Sequence, residues 1–205
     1  MARTRDAEQA GEARRAQILA AAMTLFAEKG YRGTSLAAVA EAAGITRSGV
    51  LHHFSSKEAL LSAVLAERDV QAFDAVEVDR AYEGPAALRA LDIVDKLAAS
   101  NAGNREFTRL SHLALFGSAD APEVAQDWSN ERLRTYRDNL ARVLEESVAA
   151  QEVRADIDAD AIALLIVGAV TGLTEMWLRD ESFDMVAAVR TLTGVLRRDL
   201  APDRG

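Results

Sequence analysis

Thr46, Arg47, Ser48, His52, His53 and Lys57 crowd into one short stretch of the chain, and their side chains are hydroxyls, a guanidinium, two imidazoles and an ammonium. Such groups donate hydrogen bonds and carry positive charge, which is the chemistry of holding a polyanion. Thr46, Ser48 and His53 suit phosphate oxygens, Arg47 and His52 suit base edges, and Lys57 suits the sugar–phosphate backbone. Other constellations are poorer. His52 and His53 are adjacent, so on a helix they point about 100 degrees apart and cannot share a metal, and no His or carboxylate follows four residues later. Asp156, Asp158 and Asp160 open like a calcium loop, but Ala161 stands where its glycine is needed and Val167 where its closing glutamate is needed. Helix capping accounts for these aspartates better, and Glu145-Glu146 are most simply solvated. No glycine-rich phosphate loop, Ser-His-Asp spacing or nucleophile elbow occurs. The absence of cysteine excludes disulfides, zinc–thiolate sites and cysteine nucleophiles. The expectation is a protein that is not an enzyme and uses no cofactor or metal.

The elements that must position the polar cluster are legible around it. Thr34 can cap a helix that places Leu36, Val39, Ala40 and Ala43 on one face, and Thr34 and Ser35 at its start, with Gly49 and Leu51 on the next helix, are further candidates for contact with DNA. Gly44 ends that helix, because the residue past a helix terminus usually takes the left-handed conformation that glycine adopts without steric cost, and Ile45 can plug the corner. Thr46 caps the next helix. Small Ser48 and Gly49 let its backbone approach a groove, while Val50 and Phe54 point inward. Ser55 and Glu58 have the spacing of a capping box for a third helix, and Lys57 falls in its first turn, where the helix dipole disfavours a cation unless a phosphate is present. Helix, tight turn and second short helix have the layout of a DNA-reading helix-turn-helix.

Charge is divided to match. The whole chain carries −8, yet residues 1–57 hold eight basic and five acidic side chains, net +3, and residues 58–205 hold 16 and 27, net −11. Phosphate neutralisation dominates nucleic-acid affinity, so a basic head on an acidic body fits a local DNA-binding module; Arg3, Arg5, Arg14 and Arg15 contribute to it, or form an ordinary solvated tail. The first residues are charged and lack an apolar signal core, and the longest apolar run, 161–173, is too short to span a bilayer. A cytoplasmic protein with no membrane partner is expected.

Over roughly 15–65 the chain resembles the tetracycline-repressor (TetR) family of bacterial transcriptional regulators. The matching features are an amphipathic first helix ending in Phe26, Lys29, Gly30 and Tyr31, Thr34 opening helix two, Ala-Gly-Ile at 43–45, and His53-Phe54 followed by Ser56-Lys57-Glu58. Leu51 departs from the tyrosine often found there, which commonly touches the DNA backbone; leucine meets a thymine methyl or makes no contact. The resemblance implies an all-α fold: a three-helix DNA-binding domain over 1–57, and a larger helical ligand-binding and dimerisation domain over 58–205.

Helical periodicity continues through the body, giving about nine helices in all. A long helix from Ser56 runs toward Tyr82, Gly84-Pro85 breaks the chain, and Pro85 opens a helix through Leu97. A loop is expected over 101–104, then a helix through Phe107 and Phe116, one from Pro122 through Val148, one capped by Asp158 and running to Leu178, and a last one begun by Ser182. Residues 161–173 are apolar nearly all round, which predicts burial on every side. Gly168 and Gly172 one turn apart, and Gly194 with Leu192 and Val195 on the last helix, allow another helix to come close, either within the subunit or from a second one. The resemblance implies the second: a homodimer, paired through its last two helices, that reads a palindromic double-stranded operator. It also implies an unidentified small-molecule effector. His112, Phe116, Trp128, Arg132, Tyr136, Glu175, Met176 and Trp177 are candidates to line its pocket, where aromatics with a few polar groups suit a mostly apolar ligand, or else to form plain core and ion pairs. The chain is expected to be a regulator, most simply a repressor released by ligand; a protein–protein interaction module and a regulator without a ligand are the alternatives.

Overall fold

The computed structural model describes residues 2–74, 84–116 and 122–202, and among these every regular element is a helix. There are nine: α1 (Ala2–Gly33), α2 (Leu36–Ala42), α3 (Arg47–His53), α4 (Lys57–Asp74), α5 (Ala86–Gly103), α6 (Arg105–Phe116), α7 (Glu123–Ala149), α8 (Ala159–Arg179) and α9 (Met185–Asp199). The long helix expected from Ser56 toward Tyr82 is described as far as Asp74, and its remainder lies outside the described residues. Two compact units divide the chain. The first is Met1–Val70 with Glu106–Ser129, and the second is Gln71–Arg105 with Asn130–Gly205.

The first unit is built on a core that the helix-turn-helix shares with its neighbours. Ile18, Ala22 and Phe26 of α1 pack with Val39 and Ala40 of α2, Val50 of α3, Phe54, and Leu60, Leu61, Val64 and Leu65 of α4; Leu110 and Ala125 complete it. Each is a residue at helical spacing on one face, so burying that face fixes how each helix is turned about its axis. α1 is kinked at Gly30, where φ is 70°.

In the second unit Ala87, Leu91, Val94 and Ala98 of α5 pack with Leu144, Ile166, Met185, Val189 and Leu200. Pro85 brings no side-chain cap to α5, and the free N–H groups at its start are satisfied from far along the chain. Ala86 donates to Glu152 Oε2 and Ala87 to Ser147 Oγ, both at 3.1 Å. At the other side of α5, Arg197 of α9 bonds Asp92 and Asp95, and Thr193 donates to Asp95 at 2.8 Å. These bonds tie α9 along α5.

Several boundaries differ from the sequence expectation, for local reasons. α5 continues to Gly103, so the expected loop over 101–104 shrinks to Asn104. The last helix is capped by Asp184, whose carboxylate accepts from Ala187 N at 2.9 Å, while Ser182 instead donates twice to Asp180 Oδ1 in the preceding turn. That pairing holds the Asp180 carboxyl below its ordinary pKa. Asp158 caps α8 as expected, accepting from Ala161 N. α8 is 21 residues and, by length and composition, apolar enough to cross a membrane, longer than the run over 161–173 suggested. It is not buried on every side: Ala163, Ile166 and Thr174 face the unit's core, and Leu164 and Leu165 are 62% and 65% exposed.

Candidate nucleic-acid interface

The turn between α2 and α3 closes with two backbone bonds that end a helix in a left-handed residue. Ile45 N bonds Ala40 O at 2.9 Å and Gly44 N bonds Glu41 O at 3.1 Å, with Gly44 at φ 65°. Ile45 packs against the core at the corner. Thr46 then caps α3, its hydroxyl accepting from Gly49 N at 3.1 Å and sharing a bond with Ser48 Oγ at 2.9 Å. A Cβ on Gly49 would lie 3.4 Å from that same hydroxyl. Val50 is fully buried and Phe54 nearly so, which anchors the short helix from behind. Thr46, Arg47, Ser48 and His52 are exposed; Gly49, Leu51 and His53 are half-buried. The result is a seven-residue helix with a core-bound apolar back and a donor-rich front. The His52 and His53 rings meet edge to face at 5.5 Å, and no metal-binding group of His, Asp and Glu occurs among the described residues.

Two expected roles are corrected. Thr34 does not cap α2: its side chain is 2% exposed and its hydroxyl donates to the carbonyls of Leu25 (3.0 Å) and Gly30 (2.9 Å), so it stitches α1 to α2 and presents nothing to a partner. Ser35 caps instead, accepting from Ala38 N at 3.1 Å, and it is exposed. Likewise the cap of α4 is Ser56, which accepts from Ala59 N, and Ser55 with Glu58 forms no capping box. Glu58 accepts a hydrogen bond from the Tyr31 hydroxyl. That bond is the main cause of a lowered Glu58 pKa and, after burial, the next cause of a strongly raised Tyr31 pKa.

Sequence reasoning missed what holds the head's cations. Lys57 Nζ lies 4.1 Å above the centre of the Tyr31 ring, and the Arg15 guanidinium lies 5.3 Å from the centre of the Phe54 ring. Partial burial lowers the Lys57 pKa, with Glu58 acting against the shift. The only signal for either pairing was the presence of aromatic and basic residues on different helices, which gives no register between them.

Comparison with known proteins bears on this geometry directly. Residues 18–64 match the family described as bacterial regulatory proteins, tetR family, and residues 124–198 match the MAATS-type transcriptional repressor, C-terminal region. The chain belongs to the TetR family. It is a DNA-binding transcriptional regulator of that family. It is 27% identical to the HTH-type transcriptional regulator AcrR of Shigella flexneri over 198 residues, 94% of this chain and 91% of that protein. Against the HTH-type transcriptional repressor KstR2 of Rhodococcus jostii it is 46% identical over 52 residues, 25% of this chain and 26% of that one. Among solved structures it is similar to the transcriptional regulator FadR from Bacillus subtilis in complex with stearoyl-CoA, with a TM-score of 0.74 and 24% identity over 88% of this chain and 96% of that chain.

In this TetR-family regulator the body residues singled out from sequence divide between the two units. In the first, His112 is buried on α6 and Trp128 packs against the core, beside buried Thr108, Ser111 and Ser129. The side chain of Phe116 lies outside the described residues. In the second, the Arg132 guanidinium lies 4.8 Å from the centre of the Tyr136 ring one turn away, and Glu175 accepts from Arg179 at 2.7 Å. Trp177 packs against the second core and carries the Arg105 guanidinium 5.7 Å from its ring centre. Arg105 also donates to Leu178 O at 2.8 Å and pairs with Glu181 at 3.0 Å. Along α8 of the same unit, Leu165, Gly168, Gly172 and Met176 form an exposed strip, and Val195 of α9 is exposed as well. A Cβ placed on Gly168 or Gly172 would meet nothing within 4 Å, so among the described residues no other helix uses the gap these glycines leave. Gly194 and Leu192 are half-buried.

Proposed function

We propose that this regulator is a cytoplasmic homodimeric repressor that holds a palindromic operator with α3 in the major groove and lets go of it when a small, mostly apolar molecule binds the body. The observation that carries the reading is the two-sided α3: Val50 fixed in the core behind, Arg47, Ser48 and His52 exposed in front. Arg47 and His52 read base edges, while Ser35, Thr46, Ser48 and His53 position the helix on phosphates. Gly49 lets the backbone come close. Lys57 holds the strand backbone. The reading assigns DNA binding to residues 1–57 and ligand binding and dimerisation to residues 58–205.

The dimer is formed by a second copy covering the apolar strip of α8 and α9, with Gly168 and Gly172 admitting its helices and Leu192, Gly194 and Val195 alongside. Two features support this choice of partner: Leu164, Leu165, Met176 and Val195 leave apolar side chains exposed together on these two helices, and the match to a transcriptional repressor C-terminal region extends across both. For the effector, each unit holds aromatic and polar groups of the kind an apolar-ligand site needs: His112 and Trp128 in the first, and Arg132, Tyr136, Glu175 and Trp177 in the second. The stearoyl-CoA held by the similar Bacillus subtilis regulator makes long-chain acyl-CoA the first compound to try.

Footprinting of the purified protein on the DNA flanking its coding region, with and without acyl-CoA, tests the proposal. The expected result is a protected palindrome whose protection fades with ligand. Absence of any protected sequence would refute the regulator reading, and protection indifferent to a broad panel of apolar ligands would refute the release mechanism.

A further inference from the structure

We infer that Tyr31 is a positioning residue for DNA binding: its ring face holds the Lys57 ammonium at the start of α4, and its hydroxyl, bonded to Glu58, fixes the ring for that task. The inference rests on the DNA-binding reading above. Lys57 occupies the first position of an 18-residue helix, at the positive end of its dipole, where a cation is disfavoured. In the free protein the negative face of the Tyr31 ring lies beneath that cation, 4.1 Å from Nζ. The ring is held at both ends, with Phe26 of the core beside it at 5.9 Å between centroids and the Glu58 carboxylate at its hydroxyl. Lysine is a point charge on a flexible stem, and clamping a phosphate costs it rotamer freedom. A lysine already resting on a fixed ring has less freedom left to lose. The Glu58 carboxylate, which would otherwise oppose a phosphate one residue from Lys57, is engaged by the hydroxyl. Arg15 on the Phe54 ring repeats the device in the same unit.

The test uses the full chain, its Tyr31→Phe, Tyr31→Leu and Lys57→Ala variants and the Tyr31→Leu/Lys57→Ala double variant, with a duplex of about 30 base pairs selected by the wild type from a random pool. Circular dichroism confirms that each variant is folded. Tyr31→Leu is expected to weaken binding about three- to tenfold and Tyr31→Phe less, and in the Lys57→Ala background Tyr31→Leu should change affinity by less than about twofold. Selective ¹³C labelling of lysine, with only Lys29, Lys57 and Lys96 to assign, gives a readout without DNA: Lys57 Cε protons shifted upfield by the ring in the wild type and not in Tyr31→Leu. Equal binding by wild type and Tyr31→Leu, tighter binding by Tyr31→Leu, or the same loss with and without Lys57 would each overturn the inference while leaving the DNA-binding reading intact. Unshifted Lys57 protons in the free wild type would overturn it too. A wild type that selects no duplex would overturn the DNA-binding reading itself, and the inference with it.

Discussion

The first unit hides its apolar residues and displays donors; the second does the reverse along one edge. In the first unit, Val39, Val50 and Leu60 are fully buried while Arg47, Ser48 and His52 stand exposed, so its apolar faces are covered within the chain and it offers a surface fit for a charged partner. On α8, Leu164, Leu165 and Met176 remain exposed although Ala163 and Ile166 of the same helix are fully or nearly fully buried. One surface is complete in the single chain; the other, on the proposal above, is completed by a second copy. The contrast shows that burial within one chain is a poor guide to which face of a helix is the working face.

The contrast can be broken most forcefully from the core of the head. Phe26→Ala removes a ring that is 1% exposed, with an expected cost of about 3–5 kcal/mol. DNA binding should be lost while analytical ultracentrifugation still finds a dimer; monomers would mean that assembly depends on the head. Leu165→Glu attacks the other side. A carboxylate inside an apolar interface should raise the dimer dissociation constant about a hundredfold, or about 3 kcal/mol, with the circular dichroism of the monomer unchanged. An undisturbed dimer would place the interface elsewhere. The finest comparison is between two helix ends built alike: Gly44 after α2 and Gln151 after α7 both have positive φ, 65° and 58°, and both close with the same pair of backbone bonds. Gly44→Ala should destabilise by about 1–2 kcal/mol and Gln151→Gly should stabilise by about 0.5 kcal/mol in chemical denaturation, since only the second carries a side chain in that conformation. Effects of the same sign would show that packing, not backbone conformation, decides these turns.

How far the sequence could be read follows the same division. The corner between α2 and α3 was legible because a left-handed residue, a plugging Ile45 and a capping Thr46 succeed one another within three positions, each with one good role. Adjacent hydroxyls defeated the pattern: Thr34-Ser35 and Ser55-Ser56 each offer two caps a residue apart. The choice between Thr34 and Ser35 turns on whether distant carbonyls, here those of Leu25 and Gly30, claim one of them. Ser182 lost its cap to Asp184 in the same way, by pairing with Asp180. In the body, apolar residues all round α8 read equally as deep burial or as a face awaiting a partner. Aromatics such as Trp128 and Trp177 have one periodicity whether they line a pocket or fill a core, so the candidates for ligand contact carried no signature of their own. The perch of Lys57 on Tyr31 joins residues 26 positions apart, beyond any local pattern.

The most direct measurement compares Arg47→Ala with Lys57→Ala in titrations of the selected operator, of its single-base variants and of random duplex over a range of salt. Arg47→Ala should cost about 1–3 kcal/mol on the operator and erase preference at one base pair in each half-site. Lys57→Ala should weaken all duplexes alike and reduce the salt slope by about 1. If the two substitutions act identically, or if neither changes binding, α3 is not the reading helix.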